Sequence, residues 1–446
     1  MRRPLSFVER LARDARSRTE TIYPWELPSI MRKHIVTGAM GTVYFALLSG
    51  FYLVTFGESI GMQYWQWALL SAVSSFVLVF QLGSAYLVSL IGTRKTLWFA
   101  TALMARLLRG AAIAVAFWMY GISPSPARSL FLTLLIVANC FDAFCVPPWM
   151  SWLADIIPSD QHGQFMGRRT AWIARANLLV VVPIGFALDR MPEEVKIPVL
   201  MVVFALGFTL GIADLVIHRT IPEPQMALPP RRRFWREVAA PLKDTRFRPW
   251  LLFNAAWTFS MTLGGSLSMV YFVQDLEVRR NYLGGSVVLI VLPLVGNIVG
   301  AKFLGALVDR HGVRRMLRWG HGFWAILPLF WFLATPRTAL WLLAASSLVG
   351  AVSSSTAMTA SNKLITRLPP AGHVPMYVAV SACVGSLAGG FGPLLAGYVL
   401  QSLKGTTLDA GIFTLGPFHF LFLASFLLRG LSTLLIRRIR EPAWAS

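Results

Sequence analysis

The segment from Gly305 to Arg315 reads G-A-L-V-D-R-H-G-V-R-R and separates two long apolar stretches of the chain. Asp309 lies at the end of the first stretch, and Arg314 lies at the start of the second. Gly312 between them permits a sharp turn, because glycine adopts backbone angles that other residues avoid. The segment therefore indicates a tight, charged connection between two helices that cross a membrane.

The composition also indicates a membrane protein. Of the 446 residues, 56% are hydrophobic and 14% are charged, whereas soluble domains are usually about 25% charged. A helix that crosses the hydrocarbon core needs about 20 apolar residues. Stretches of that length predict twelve spans, which start near His34, Tyr64, Thr96, Ser129, Arg169, Ile197, Pro249, Tyr282, Met316, Ala339, Val374 and Ile412.

Lysine and arginine are concentrated on one predicted side of the membrane. The formal net charge is +21, and the basic residues fall mostly in the two tails, the even-numbered connections and the central loop. This is the positive-inside pattern, so both termini are predicted to be cytoplasmic. We expect the basic surface to meet anionic lipid head groups and expect no nucleic-acid partner.

The chain is predicted to divide into two halves. A polar, proline-rich central loop, residues 218–248, separates a first six-helix bundle, residues 34–217, from a second one, residues 249–437. Residues 1–33 and 438–446 are predicted to be cytoplasmic tails.

A weak internal repeat relates the halves. The charged turn recurs in altered form, with Gly92, Arg94 and Lys95 where the second half has Gly312, Arg314 and Arg315. Duplicated halves with a site between them are typical of secondary transporters.

With the spans and the repeat, the turn at Gly305 resembles the loop motif of the Major Facilitator Superfamily, over roughly residues 30–440. The resemblance implies an all-α membrane protein with twelve transmembrane helices in two pseudo-symmetric six-helix bundles and both termini cytoplasmic. It also implies alternating access and a gating motif, which consists of Gly305, Asp309, Arg310, Gly312, Arg314, Arg315, Gly92, Arg94 and Lys95.

In that family the loop lies against the start of the fifth span. Asp309 is then expected to accept hydrogen bonds from a helix N-terminus and to pair with Arg168 or Arg169 as a latch. The alternative is that Asp309 and the arginines only orient the helix pair.

Ionisable residues inside predicted spans are candidate functional residues, because charge in a bilayer is costly. Asp142 lies mid-span on the fourth predicted helix, one turn from Asn139, and the resemblance implies that this helix lines the transport cavity. Asp142 is therefore the candidate proton-coupling site.

Two arginines on the third predicted helix are candidates for contact with Asp142. Arg106 and Arg109 are three residues apart on the third predicted helix and so share a face. An Arg109–Asp142 pair is geometrically reasonable, and it either takes part in transport or is a static ion pair that fixes helix packing. Arg106 is expected to extend its head group towards the membrane interface.

Other polar residues have two interpretations. Asn254 on the seventh predicted helix, and Ser355 and Thr359 on the tenth, either contact solute or hydrogen-bond to neighbouring helices and to their own carbonyls. Arg175 and Arg429 are interpreted as interfacial anchors or loop partners.

The three cysteines show no metal-ligand spacing, so we expect no disulfide, metal site or cofactor.

The favoured function is a secondary active transporter or facilitator that moves a small solute across the cell membrane. A symporter or antiporter with a proton as coupling ion is considered, and a monomer is expected. The basic residues in the spans weakly favour an anionic or zwitterionic solute. The alternative is a non-transporting membrane sensor or assembly factor of the same fold.

An enzyme is not expected, because the sequence has no nucleophile–base arrangement, metal-ligand cluster or P-loop.

Overall fold

The computed structural model describes residues 21–91, 93–225, 234–276, 281–296, 310–369, 374–409 and 414–439, and most of them are helical. Helices dominate because a backbone inside hydrocarbon must satisfy its hydrogen bonds within its own segment. Within these residues, nine helices are long and apolar enough to cross a membrane. The chain is therefore a multi-pass membrane protein, and the count of twelve spans remains a prediction.

Eight α-helices lie in the described residues of the first half of the chain. They are α1 (Leu27–Leu47), α2 (Gly50–Ser59), α3 (Tyr64–Phe76), α4 (Phe80–Ile91), α5 (Lys95–Tyr120), α6 (Pro124–Ile156), α7 (Ser159–Asp189) and α8 (Glu193–Arg219). One turn of 3₁₀ helix at Val77–Val79 joins α3 to α4. The first helix begins at Leu27, ahead of the predicted start at His34, with a proline in its first turn, where the missing N–H costs no hydrogen bond.

Shorter helices are more frequent in the second half. The elements are α9 (Phe234–Lys243), α10 (Arg248–Gly265), α11 (Ser268–Gln274), α12 (Tyr282–Ser286), α13 (Val313–Ala325), α14 (Leu327–Leu333), α15 (Ala339–Arg367), α16 (Val374–Ser402), the two-residue antiparallel strands β1 (Leu408–Asp409) and β2 (Thr414–Leu415), and α17 (Pro417–Leu435). A π-helical segment, Val287–Val291, continues α12, and a 3₁₀ turn, Ile436–Arg438, follows α17.

Two predicted spans are broken in the structure. The seventh consists of α10 and α11, which are separated just after Gly265. The ninth consists of α13 and α14, and Pro328 stands in the first turn of α14. Proline cannot donate the backbone hydrogen bond that would continue α13, which accounts for the second break.

The chain packs into two compact units. The first unit contains Met1–Tyr52, Val79–Val181 and Glu193–Arg231, and the second contains Leu53–Leu78, Val182–Pro192 and Arg232–Ser446. The second unit thus includes α3 and the end of α7, although both precede the central loop.

Glycines bring α8 close to α1 in the first unit. A Cβ atom on Gly207 would lie 2.3 Å from Leu48 Cδ1, and one on Gly211 would lie 2.7 Å from Tyr44 Cδ2. Small residues are the usual means of close helix contact in lipid, where van der Waals packing drives association. This approach places the polar residues of α8 beside those of α1.

In the second unit, α16 packs closely against α10 and α3. A Cβ atom on Gly392 would lie 2.8 Å from the backbone nitrogen of Leu263 in α10, and one on Gly397 would lie 2.2 Å from Ala68 Cβ in α3. These two glycines therefore allow close packing on two sides of α16.

Candidate functional site

A three-residue polar cluster lies between α5 and α6 in the first unit. Arg109 Nη2 donates to Asp142 Oδ2 and to Asn139 Oδ1, each at 2.7 Å. Only 4% of the Arg109 side chain is exposed, against 36% of the Asp142 side chain. The structure thus brings Arg109, Asn139 and Asp142 together, and the carboxylate is far more accessible than the guanidinium.

One turn earlier on α5, Arg106 has a carboxylate partner that the sequence analysis did not predict. Its side chain is not extended to the interface but is buried, and Nη2 forms an ion pair with Asp214 Oδ2 of α8. The guanidinium also lies over the Tyr44 ring, 5.3 Å from the centroid. The predicted extension of Arg106 is wrong, because a carboxylate on the adjacent helix compensates its charge inside the unit.

Asp214 also contacts a histidine on its own helix. His218 Nδ1 lies 2.7 Å from Asp214 Oδ1, and both residues are buried. The i, i+4 spacing puts the two side chains on one face of α8. This Asp–His pair was not predicted as a site, and its helical spacing was the signal in the sequence that could have revealed it.

The histidine connects the pair to α1. His218 Nε2 lies 3.4 Å from Thr37 Oγ1, and the Thr37 hydroxyl is 3.3 Å from the His34 carbonyl oxygen. A hydroxyl both donates and accepts, so Thr37 can donate to a neutral His218 or accept from a protonated one. The His34 ring is buried, 5.5 Å from the His218 ring, and neither of its nitrogens has a hydrogen-bond partner among the described residues.

Arg94 of the altered charged turn in the first half is the centre of an ion-pair network. Arg94 is fully buried and pairs with Asp155 of α6, and it donates to the Pro224 carbonyl oxygen at 2.8 Å. Glu223, which follows α8, accepts from the backbone N–H groups of Arg94 and Lys95 at the start of α5. A carboxylate at a helix N-terminus satisfies free N–H groups and complements the helix dipole.

Part of the charged turn in the second half lies outside the described residues. Gly305 and Asp309 are among these, as is Gly92 of the first half. Gly312 has φ +82° and immediately precedes α13, a conformation that favours glycine. Arg314 donates to the Arg437 carbonyl oxygen, whereas Arg310 and Arg315 are exposed.

The two predicted latch arginines differ in environment. Arg168 is exposed, whereas Arg169 is partly buried with its guanidinium over the Trp149 ring, 4.9 Å from the centroid. A Cβ atom on Gly38 of α1 would lie 2.7 Å from Arg169 Nε, so α1 and the start of α7 are in close contact. The latch with Asp309 remains a prediction.

The uncharged candidates of the second unit contact protein groups. Asn254 Nδ2 donates to the Ser381 carbonyl oxygen at 2.8 Å and so joins α10 to α16. The Thr359 hydroxyl donates to the Ser355 carbonyl oxygen at 2.8 Å within α15. Both contacts agree with the packing interpretation, and contact of these residues with solute remains a prediction.

Arg429 is a buried arginine that connects helices within the second unit. Arg429 of α17 is 5% exposed and donates to the carbonyl oxygens of Trp324 and Met261 at 3.2 and 3.1 Å. Its interpretation as an interfacial anchor is wrong, because the guanidinium joins three helices inside the unit.

A cavity of about 820 Å³ lies between α1 and α7 in the first unit. Three arginines line it, one from α1 and two from α7, and they are Arg32, Arg168 and Arg175. Trp172 lies between the two α7 arginines along the helix, with the Arg175 guanidinium 5.1 Å from its ring centroid. The rest of the lining is apolar apart from Gln161 and Gln164.

The fold and the second half of the sequence match known proteins. Residues 250–445 match the model of the Major Facilitator Superfamily, and no curated protein matches the chain. A mutant of the nucleoside transporter NupG shares the fold with a TM-score of 0.67 and 10% identity, over 92% of this chain and 100% of that one. A second NupG structure has a TM-score of 0.63 and 10% identity, over 92% of this chain and 98% of that one.

A third solved structure extends the likeness. It is a bacterial homologue of the human lysosomal transporter Spinster, in an inward-facing and unoccupied conformation. It has a TM-score of 0.62 and 14% identity, over 95% of this chain and 100% of that one. The predicted Major Facilitator Superfamily fold is therefore confirmed.

Proposed function

We propose that this protein is a proton-coupled secondary transporter of a small solute, with Asp142 as the coupling carboxylate. The fold and the match of residues 250–445 support a secondary transporter and do not favour the alternative of a sensor or assembly factor. Transporter folds commonly place ion-coupling groups near the middle of the membrane. Asp142 lies well inside the 33-residue α6, as such a group should.

The observation that carries the proposal is the asymmetric burial of the Arg109–Asp142 pair. Arg109 is buried and cannot lose its charge, whereas a third of the Asp142 side chain is accessible. A proton on Asp142 weakens the ion pair, and Asn139 still accepts from Arg109. The cluster can therefore change charge without leaving the guanidinium unbonded, which is what a reversible coupling site requires.

Proteoliposomes test the proposal. Proton movement is followed with an internal pH dye while pools of nucleosides, sugars, amino acids, organic anions and drugs are added, for the wild type, Asp142→Asn and Glu194→Gln. Glu194 is an exposed acid at the start of α8, so its variant is the matched control.

Solute-dependent proton flux that is lost only in Asp142→Asn is the expected result. Proton-coupled uptake that survives Asp142→Asn would move the coupling site elsewhere. Uptake that moves no protons in the wild type would contradict proton coupling and leave a facilitator or a transporter coupled to another ion. If no pool moves in any variant, the transporter proposal is contradicted.

A further inference from the structure

The cavity between α1 and α7 combines positive charge with apolar surface at membrane depth. The candidate span of α7 runs from Gln164 to Asp189. At a rise of 1.5 Å per residue, Arg168 lies about 6 Å and Arg175 about 16 Å inside that span. Arg175 was interpreted from the sequence as an interfacial anchor, but the structure puts it in the wall of a cavity.

Among the described residues that line this cavity, none is acidic. Within the described part of the chain, Arg32, Arg168 and Arg175 form no salt bridge with a carboxylate, in contrast to Arg94, Arg106 and Arg109. A cation at membrane depth without a counter-charge is costly and marks a functional site by default. Three arginines around one cavity, one from α1 and two from α7, favour an anionic ligand and disfavour a cationic one.

The neighbouring surface indicates the rest of the ligand. Trp172 is 52% exposed and Leu179 is 73% exposed, and both lie in the same wall as Arg175. Apolar side chains around a few well-placed charged groups are typical of small-molecule sites. An aromatic or aliphatic body can pack on this surface while an arginine fork binds a planar carboxylate in bidentate fashion.

We propose that this cavity binds an amphipathic organic anion, a carboxylate, sulfonate or phosphate ester on an apolar body, and that Arg175 is its main anion ligand. The inference rests on the proposed function and deepens it, because it assigns the class of the transported solute. Arg168 is seven residues before Arg175, about 10 Å along the same face of α7, so it can contact the same anion on its way to the cytoplasmic end.

Equilibrium binding of 2-naphthoate to the full chain in phosphatidylcholine nanodiscs tests the inference. The neutral analogue 2-naphthamide, which has the same apolar body, is the ligand control. Arg175→Gln is expected to weaken naphthoate binding by at least about tenfold, as the loss of a charge-assisted pair implies. Arg175→Lys, which keeps the charge but not the fork, is expected to lose less. Arg318→Gln, at an exposed arginine of α13, should bind like the wild type.

A membrane lipid could supply the same chemistry, so a second arm uses nanodiscs that contain phosphatidylglycerol. If phosphatidylglycerol displaces naphthoate and is lost from Arg175→Gln in native mass spectrometry, the anion is a lipid and the assignment of a transported solute is overturned. If phosphatidylglycerol does not compete, the solute assignment stands.

Equal naphthoate affinity in the wild type, Arg175→Gln and Arg168→Gln would refute the site. Because no proton gradient is present, this outcome is independent of Asp142. Arginine-dependent binding without proton-coupled uptake would leave the site standing while the proposed function fails.

Discussion

The buried Arg106–Asp214 pair makes a quantitative prediction about stability. Only 9% and 4% of the two side chains are exposed, so removal of Asp214 leaves the Arg106 charge buried without its carboxylate, and removal of Arg106 leaves Asp214 with the His218 contact alone. Breaking such a pair typically costs about 3–5 kcal/mol. We expect Asp214→Asn to cost about 3 kcal/mol of unfolding free energy, at the low end, because asparagine can still hydrogen-bond to His218. Arg106→Met is expected to cost a similar amount.

The double variant Arg106→Met/Asp214→Asn should be much more stable than the sum of the single losses. With both charges removed, neither position holds an ion that has lost its partner, and a buried pair replaced by neutral groups is often close to neutral in stability. The expected coupling energy is therefore at least about 3 kcal/mol, the upper end of the usual range for contacting residues, and it approaches about 6 kcal/mol, the sum of the two single losses, if the double variant is neutral.

Reversible unfolding measures this coupling. The wild type, both single variants and the double variant are unfolded by SDS in mixed lipid micelles, and the free energies are combined in a double-mutant cycle. A parallel cycle with Arg109→Met and Asp142→Asn is the comparison. Its coupling should be below about 1 kcal/mol, because Asp142 is more exposed and Asn139 keeps a hydrogen bond to Arg109. Losses that add to within about 0.5 kcal/mol at the first pair would refute the reasoning.

Two carboxylates at helix starts carry the remaining predictions. Glu223→Gln should destabilise the start of α5 by about 1–2 kcal/mol, seen as faster hydrogen exchange at the Arg94 amide with unchanged exchange in the middle of the helix. Asp189 accepts from the backbone N–H groups of Tyr282 and Leu283 at the start of α12. Asp189→Asn should therefore speed exchange at those amides by about tenfold or less, as a lost cap of about 1 kcal/mol implies. Unchanged exchange in either variant would contradict the capping role.

The Arg109–Asp142 contact could be predicted from the sequence because the prediction requires only the order of the spans and the depth of each residue in the membrane. Both residues lie on consecutive predicted spans joined by a short connection, at similar distances from one membrane surface. Consecutive antiparallel helices are usual neighbours in space, so depth alone brings the side chains together. Asn139, one turn from Asp142, follows from helical periodicity.

The Arg106–Asp214 contact depends on the packing of α5 against α8, which cannot be predicted from the order of the helices in the sequence. Helices α5 and α8 are separated by two other spans, and their contact depends on how glycines let α8 approach its neighbours. The sequence shows that Gly207 is small, but not that Leu48 lies against it. The same limit applies to Arg429, whose carbonyl acceptors belong to two helices far away in the chain.

The π-helical segment Val287–Val291 sets the rotational phase of the helix that contains it. The N–H of Leu292 bonds to the carbonyl oxygen of Val287, five residues back, so one more residue is taken up than in an α-helical turn. Val288 O accepts instead from the Ser347 hydroxyl of α15 at 2.8 Å. Deletion of one residue from Val287–Val291 would restore α-helical spacing. The helical residues after Val291 would then be rotated by about 100° about the helix axis relative to α12. Gly296, whose Cβ position lies 2.5 Å from Ala351 Cβ, would then turn away from α15. The contact of Gly296 with α15 therefore depends on the number of residues in the π-helical segment.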